Sequence, residues 1–390
     1  MGETADIVVM GAGVMGTSIA FHLAERGAGR VLLLERDVVA SGGSGRSSAL
    51  IRTHYTFPPE VRLAVKSLEY FRTWKERMGR PTHFRVTGYV RIVPRSESEL
   101  LRANVAMQNE CGAEAQVLTA EELRELAPRW NLDDVDVAAY EPGAGYGDGS
   151  VVATDFLDLA RELGVDYRPQ SCIERIEVEG SRVVGIRTAT DTIAAGQVVV
   201  AAGAWSHRLF ADIGVELPLE TEYHEVVVLE RPPDFNGPHF ACADVIHQIY
   251  FRSEGRSQSL LGDFDGVRGL DPDQAQPQPS LDALASKVQR FANRIPAMAD
   301  AGIARVVTGT YSMTPDARGL MGAIPGVEGL YCCTGFSGMG FKIAPAVGLV
   351  VSEIILDGMS ATVDVSDFRP GRFAEGKPIR PQFEYGTVEP

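Results

Sequence analysis

Residues 7–35 read IVVMGAGVMGTSIAFHLAERGAGRVLLLE, and the order of elements in that stretch decides the fold. Ile7–Met10 is a short apolar run of β type, followed at once by Gly11-Ala12-Gly13-Val14-Met15-Gly16. A helical stretch with Ile19 and Leu23 on one face then runs from about Met15 to Arg26. After Gly27–Gly29 a second apolar run, Val31–Leu34, ends on Glu35. Strand, glycine turn, helix, strand and terminal acid together form the βαβ unit that binds dinucleotides. Gly11 permits the tight turn, Gly13 lets the backbone approach a pyrophosphate, and Gly16 lets the helix lie close on the sheet. Phosphates are expected at the helix N-terminus, where unpaired N–H groups and the helix dipole favour anions. Glu35 accepts from ribose hydroxyls and repels a 2′-phosphate, which disfavours NADP. This unit alone does not separate FAD from NAD.

Three later segments point to a flavin. Ser41–Ser48 (SGGSGRSS) is small and polar where a pyridine-nucleotide domain would continue with another βα unit. Such a loop supplies backbone and hydroxyl donors along an extended cofactor. Gln197–Ser206 (QVVVAAGAWS) reads as a buried strand ending in small residues, aimed at the crevice beyond the strand carboxyl ends. Gly329–Gly348 (GLYCCTGFSGMGFKIAPAVG) reads as a strand, a glycine loop and a helix from about Ala344. The N–H groups near Gly338–Lys342 and the positive end of that helix suit the negative charge of a reduced flavin.

The segments GAGVMG, SGGSGRSSALIR, AAGAW and TPD…TGFSGMGFK together resemble the D-amino-acid oxidase superfamily of FAD enzymes. Within it the chain is most similar to the sarcosine oxidase and dimethylglycine dehydrogenase branch, from about Ile7 to Gly358. The resemblance implies bound FAD, and Gly309, in place of a linking cysteine, makes it non-covalently bound. Its adenosine half would lie on Gly11, Gly13, Val14, Met15 and Gly16, on Glu35 and Arg36, and on the Cys172–Ile173 strand. The cofactor would also meet Ser41 and the small-residue turn at Ala202, Gly203 and Trp205. Its isoalloxazine would lie between the segment from Ser44, Gly45, Arg46, Ser47 and Ser48 to Arg52, and the loop of Gly338, Met339, Gly340, Phe341 and Lys342.

By the same resemblance Arg52 and Lys342 bind a substrate carboxylate, the first as a bidentate fork and the second as a point charge. Arg52 is otherwise a partner for a core carboxylate, and Lys342 a solvated lysine at a helix start, a position unfavourable for a cation. Tyr250 and Tyr311 match aromatics that line the substrate pocket, or are core rings whose hydroxyls find partners. His54 either positions substrate or is structural. Three departures stand out. Gly309 replaces the cysteine that links flavin covalently, Leu260 falls where a lysine promotes reaction with oxygen, and Phe264 falls where a histidine contacts substrate.

The implied reaction is oxidation of the C–N bond of a small amino acid or N-alkyl amino acid, by hydride transfer to flavin N5, giving an imine that hydrolyses. Oxygen or another acceptor takes the electrons. The alternatives are a 2-hydroxy-acid oxidoreductase, and the FAD subunit of a larger electron-transferring hetero-oligomer.

With 390 residues the chain exceeds one hydrophobic core. The expected architecture is α/β plus α+β: a Rossmann-type FAD-binding domain of residues 1–83, 147–215 and 315–363, and an antiparallel-sheet substrate domain of 84–146 and 216–314. Residues 364–390 form a tail that wraps the surface. Strands at His83–Val93, Glu222–Leu229 and His247–Phe251 alternate polar and apolar residues, as in a sheet with one covered face. Helices are expected at Pro59–Met78, Glu97–Cys111, Ala120–Leu126 and Leu281–Asn293, with 262–280 an Asp-, Pro- and Gln-rich loop. A net charge of -15 argues against nucleic-acid and anionic-membrane partners. No segment reads as a membrane span or a signal peptide. The five cysteines follow no metal pattern, so no metal is expected, and they fit a reducing cytoplasm.

Overall fold

The computed structural model describes residues 3–235, 237–274 and 278–386. Its centre is an eight-stranded sheet, in which Asp166–Arg168, Val31–Leu34, Glu3–Met10, Thr192–Val200 and Leu330–Thr334 run parallel in that spatial order. Thr192–Val200 divides its far edge: Arg182–Thr188 pairs antiparallel with its start, and Leu330–Thr334 pairs parallel with its end. Residues 7–10, 31–34 and 198–200 are apolar throughout because both faces are covered there. Ile7 and Val9 face the helical layer, while Val8 and Met10 face the strands of 173–188 and Phe210.

Helices Val14–Glu25, Gly149–Glu162 and Ala344–Asp357 make the covering layer. The first and last cross closely, since a Cβ at Gly348 would stand 2.1 Å from Ser18 Oγ. That hydroxyl donates to the Ala344 carbonyl at 2.9 Å.

A nine-stranded sheet stands over the strand ends, built mainly on the ladder between Glu220–Glu230 and Gly302–Met313. It is antiparallel except at one junction, where Ala241–Asp244 runs parallel to Tyr89–Ile92. A small three-stranded sheet of Leu50–Ile51, Gly145–Tyr146 and Arg85–Val86 lies between the two.

Several element boundaries differ from the sequence expectation. The helix placed at 59–78 is two helices, Pro58–Arg72 and Trp74–Met78, parted at Thr73. The strand placed at 83–93 is interrupted at Gly88, with φ +74° and a Phe240 ring carbon 2.9 Å from where its Cβ would be. His247 precedes the strand Ile249–Glu254, and Cys172 precedes Ile173–Glu179. The stretch 262–280 is not all loop: Gln258–Asp263 and Val267–Arg268 are strands, and residues 275–277 lie outside the described residues. The tail is not merely superficial, because Arg372 and Tyr385 are buried. All five cysteines are free thiols. Among the described residues no helix is long and apolar enough to cross a membrane, and no cluster could hold a metal ion.

Candidate active site

Met10, Leu34, Val200 and Thr334 end the central parallel strands side by side, and the chain turns away from the sheet after each. A cavity of about 760 Å³ opens at this edge, within the range of about 300–1,000 Å³ common to ligand sites. Gly11 turns here with φ +102°, and a Cβ on it would stand 2.7 Å from the Ala201 carbonyl oxygen. A Cβ at Gly16 would stand 1.8 Å from the Gly11 carbonyl oxygen, so the helix begins at this angle only without a side chain. At Gly13 the obstacle would be Ser44 Oγ at 3.1 Å. That hydroxyl accepts from the Val14 N–H at 2.9 Å, which joins the 41–48 segment directly to the glycine turn.

Glu35 is held at the cavity wall by both of its oxygens. One accepts from the Ala12 N–H at 2.7 Å and the other from the Asp37 N–H at 2.9 Å. Beside it, Arg36 lies 4.5 Å from the Trp205 ring centroid. Both donate to Asp273, at 2.7 and 2.8 Å, and Arg208 donates to the same carboxylate. The loop residues Pro272–Gln274 are thereby drawn onto the cavity wall.

At the opposite end the wall is made by Arg46, Ser47, Tyr311, Gly338, Gly340 and Phe341. Gly338 has φ +77°, and a Cβ on it would meet the Tyr311 ring at 2.7 Å. Ser337 holds φ +49° and Ala49 φ +51°, left-handed backbone in residues that bear a Cβ. Such strain collects where a ligand contour over-rides local preference.

Of the predicted cofactor residues, Ser41, Ser44, Ile173, Ala202, Gly203 and Trp205 also line the cavity, as do Val14 and Met15. Five others do not reach it: Gly16, Gly45, Ser48, Met339 and Lys342. Gly45 is packed on backbone, 2.5 Å from its would-be Cβ to the Ala40 oxygen. Ser48 gives its carbonyl to Arg252, and the Met339 carbonyl accepts from the Tyr55 hydroxyl at 3.1 Å.

Arg52 and Lys342 are buried around the Tyr55 ring behind Phe341, and neither lines the cavity. Arg52 is 8% exposed and Lys342 7%, and neither has a carboxylate within ion-pair distance among the described residues. Arg52 donates to the His54 carbonyl and lies over the rings of Tyr55 and Tyr89, at 5.0 and 5.5 Å. The Lys342 ammonium stands 5.7 Å from the Tyr55 ring centroid. Burial drives the Lys342 ammonium well below its usual range, and the charge of Arg52 pushes the same way while Glu60 opposes both. Glu60 is pushed up to about 7 by burial, against the pull of Arg318, Arg52 and Lys342. Its oxygen lies 2.8 Å from Arg318 Nε.

Tyr250 is buried and Tyr311 half-buried. Their hydroxyls interact, outside the geometry of a full hydrogen bond. The Tyr311 ring stacks on His224 at 4.3 Å. Leu260 is buried and apolar, and Phe264 packs 6.0 Å from the Tyr250 ring. His54 is buried off the cavity wall, with Nε2 3.0 Å from the Tyr385 hydroxyl. Burial drives it well below the ordinary imidazole range, and Arg91 and Arg52 add to that. Sequence reasoning missed Glu60, which reads as an ordinary acid in the first turn of a helix, and missed Asp273 and Tyr385, whose partners are distant in the chain.

A glycine turn, a carboxylate at the end of the second strand and a crevice at the strand ends mark a dinucleotide-binding fold. The chain belongs to the DAO family of FAD-dependent oxidoreductases, whose model matches residues 6–354. It is 29% identical to FAD-dependent oxidoreductase domain-containing protein 1 of Xenopus laevis, over 97% of this chain and 84% of that one. It is also 29% identical to monomeric sarcosine oxidase of Streptomyces avermitilis, over 96% of this chain and 99% of that one. Among solved structures, L-proline dehydrogenase from P. horikoshii superposes with a TM-score of 0.89 and 27% identity, covering 97% of this chain and 100% of that chain. The cofactor is FAD, and the residues present fit it. The cavity reaches from Glu35 and Ile173 past Gly11 to Tyr311 and Phe341, along a cradle whose turns at Gly11 and Gly338 leave no room for a side chain.

Proposed function

We propose that the protein oxidises the C–N bond of a small secondary or N-alkyl amino acid, held by its carboxylate between Arg52 and Lys342. The observation that carries this reading is the pair of buried cations beside Phe341, with no carboxylate of the protein in contact. A buried cation without a counter-charge is costly, and a ligand anion offsets that cost. The Arg52 fork suits two carboxylate oxygens, while Lys342 adds a point charge. An anion between them also relieves the repulsion that Arg52 imposes on Lys342, so substrate binding and protonation of Lys342 are coupled. Tyr311 lines the cavity on the side of the nine-stranded sheet and orients the amine-bearing carbon, with Tyr250 buried off the cavity wall beside it. When bound, FAD supplies the hydride acceptor. Sarcosine and L-proline, named in the relatives, are both secondary-amine carboxylates, which supports this substrate class.

In this reading Gly11, Gly13, Val14, Met15, Glu35 and Arg36 hold the adenosine half, and Ser44, Arg46 and Ser47 with Gly338, Gly340 and Phe341 the isoalloxazine. Residues 1–83, 147–215 and 315–363 form the cofactor domain, and 84–146 with 216–314 the substrate domain. Leu260 supports a dehydrogenase that passes electrons to an acceptor other than oxygen. The free thiols support a reducing compartment such as the cytoplasm.

The test is Arg52→Ala, assayed for flavin content and for turnover of sarcosine, L-proline and their hydroxy-acid analogues. Removing one partner of a buried charge pair costs about 2–4 kcal/mol, so KM for the preferred substrate rises roughly 30- to 900-fold with FAD retained. An unchanged KM removes the clamp.

A further inference from the structure

The segment Arg52-Thr53-His54-Tyr55 carries the guanidinium of the carboxylate site, and three sets of contacts hold it in place. Thr53 donates through both its N–H and its hydroxyl to Glu141, each at 2.7 Å. Tyr55 donates to the Met339 carbonyl at 3.1 Å and accepts through its own carbonyl from Gln108 at 2.9 Å. His54 is held differently. Its Nδ1 has no hydrogen-bond partner among the described residues, and its Nε2 meets the Tyr385 hydroxyl at 3.0 Å. The two rings are stacked, 6.0 Å apart and 16° from parallel.

Tyr385 reaches this position from the far end of the chain. Arg372 is fully buried and paired with Asp316 at 2.8 Å, and Asp316 also accepts from the Ile379 N–H at 2.9 Å. From there the tail crosses to the helix Ser98–Glu110. The Phe383 carbonyl accepts from Asn104 at 2.8 Å, and the Gly386 N–H donates to Glu97 at 2.8 Å. Between those two anchors Tyr385 is 5% exposed, packed with Val93, Leu101 and Val105, and the Arg91 guanidinium lies 4.4 Å from its ring. A polar, proline-bearing tail that only wrapped the surface would not bury an aromatic ring between a guanidinium and a histidine.

We propose that residues 379–386 are a strap that completes the substrate-carboxylate site, with Tyr385 a positioning residue that sets Arg52 through His54. Arg52 donates to the His54 carbonyl, so any drift of His54 re-aims the guanidinium. A misplacement of about 1 Å is enough to cost on the order of a hundredfold in an oriented site. None of residues 379–386 lines the cavity, so FAD is expected to stay bound without them. The inference rests on the reading of Arg52 as the carboxylate partner.

The experiment compares holoenzyme carrying Tyr385→Ala, Tyr385→Phe and Arg52→Gln with the parent. Acetate is titrated against the flavin absorbance, and amide hydrogen exchange is followed in the peptide covering residues 50–57. Tyr385→Ala is expected to keep its FAD, to exchange faster in that peptide, and to bind acetate more weakly by about tenfold or more. Tyr385→Phe keeps the ring and loses the hydroxyl, and is expected to weaken acetate by about two- to tenfold. This milder variant carries the test if the alanine form does not fold. Unchanged exchange and an acetate affinity within about twofold of the parent in both variants overturn the strap. If instead the exchange quickens while Arg52→Gln leaves acetate binding intact, the strap stands as a clamp on residues 52–55 and the carboxylate reading of Arg52 fails.

Discussion

A side chain at Gly309 would meet Arg46, whose Cβ lies 3.3 Å from the position a Gly309 Cβ would take, and glycine there offers no sulfur to the cofactor. Cys333 does line the cavity, but burial drives its thiol well above the ordinary range and its neighbour Cys332 adds to that. A buried thiol held protonated is a poor nucleophile. Acid precipitation of the holoenzyme should therefore give a colourless pellet and leave all the FAD in solution, whereas a yellow pellet would show a covalent link. The same scale shows what can be read from residues in order. Arg52 and Lys342 stand out because each follows a glycine- or serine-rich loop within a few positions. Glu60 and Tyr385 do not, because nothing local marks them. His54 and Tyr385 are 331 positions apart, and only the folded chain brings them within hydrogen-bond reach.

Elements show a similar division. The βαβ unit is legible because its strands, turn and helix are contiguous and each glycine has a steric cause. The stretch 262–280 is not, since Val267–Arg268 owes its strand conformation to pairing with Glu222–Tyr223 rather than to its own composition. The loop that follows acts on the cofactor site through Asp273, which gathers Arg36, Trp205 and Arg208 at the Glu35 end of the cavity. These groups are partly exposed, so their ion pairs contribute little individually and weaken with salt. Asp273→Asn should weaken FAD binding only modestly, by roughly two- to fivefold at low salt. The difference from the parent should shrink as sodium chloride is added, as measured by FAD titration of apoprotein. A loss that salt does not diminish would mean that Asp273 acts by shape rather than by charge.

At the scale of the whole molecule, stability is tied to pH through buried groups in the second sheet. His239 lies in the apolar core of that sheet, its Nε2 2.7 Å from Ser259 Oγ and its Nδ1 2.8 Å from the Phe240 carbonyl oxygen. Burial lowers it from 6.5 to about 4, partly opposed by the Phe240 carbonyl. The folded protein therefore holds His239 neutral where the unfolded chain takes up a proton. Its contribution is complete above the unfolded value and is lost as pH falls from about 6.5 to about 4, by roughly 3 kcal/mol in all. Denaturant midpoints at about pH 7.5 and about pH 5 should fall less in His239→Asn than in the parent, and equal slopes would discount the residue.

The arrangement of the parallel sheet also has a consequence for biosynthesis. Glu3–Met10 leaves the ribosome well before Leu330–Thr334, yet the crevice it helps to form is closed on its far side by that strand, through the register Val198↔Leu330. A nascent chain shorter than this carries the glycine fingerprint without a complete cofactor site. It also presents the end of Thr192–Val200 as a bare apolar edge, a template for pairing with other chains. A complete cofactor site is thus expected only late in synthesis, and until then the half-made sheet exposes an edge prone to pairing.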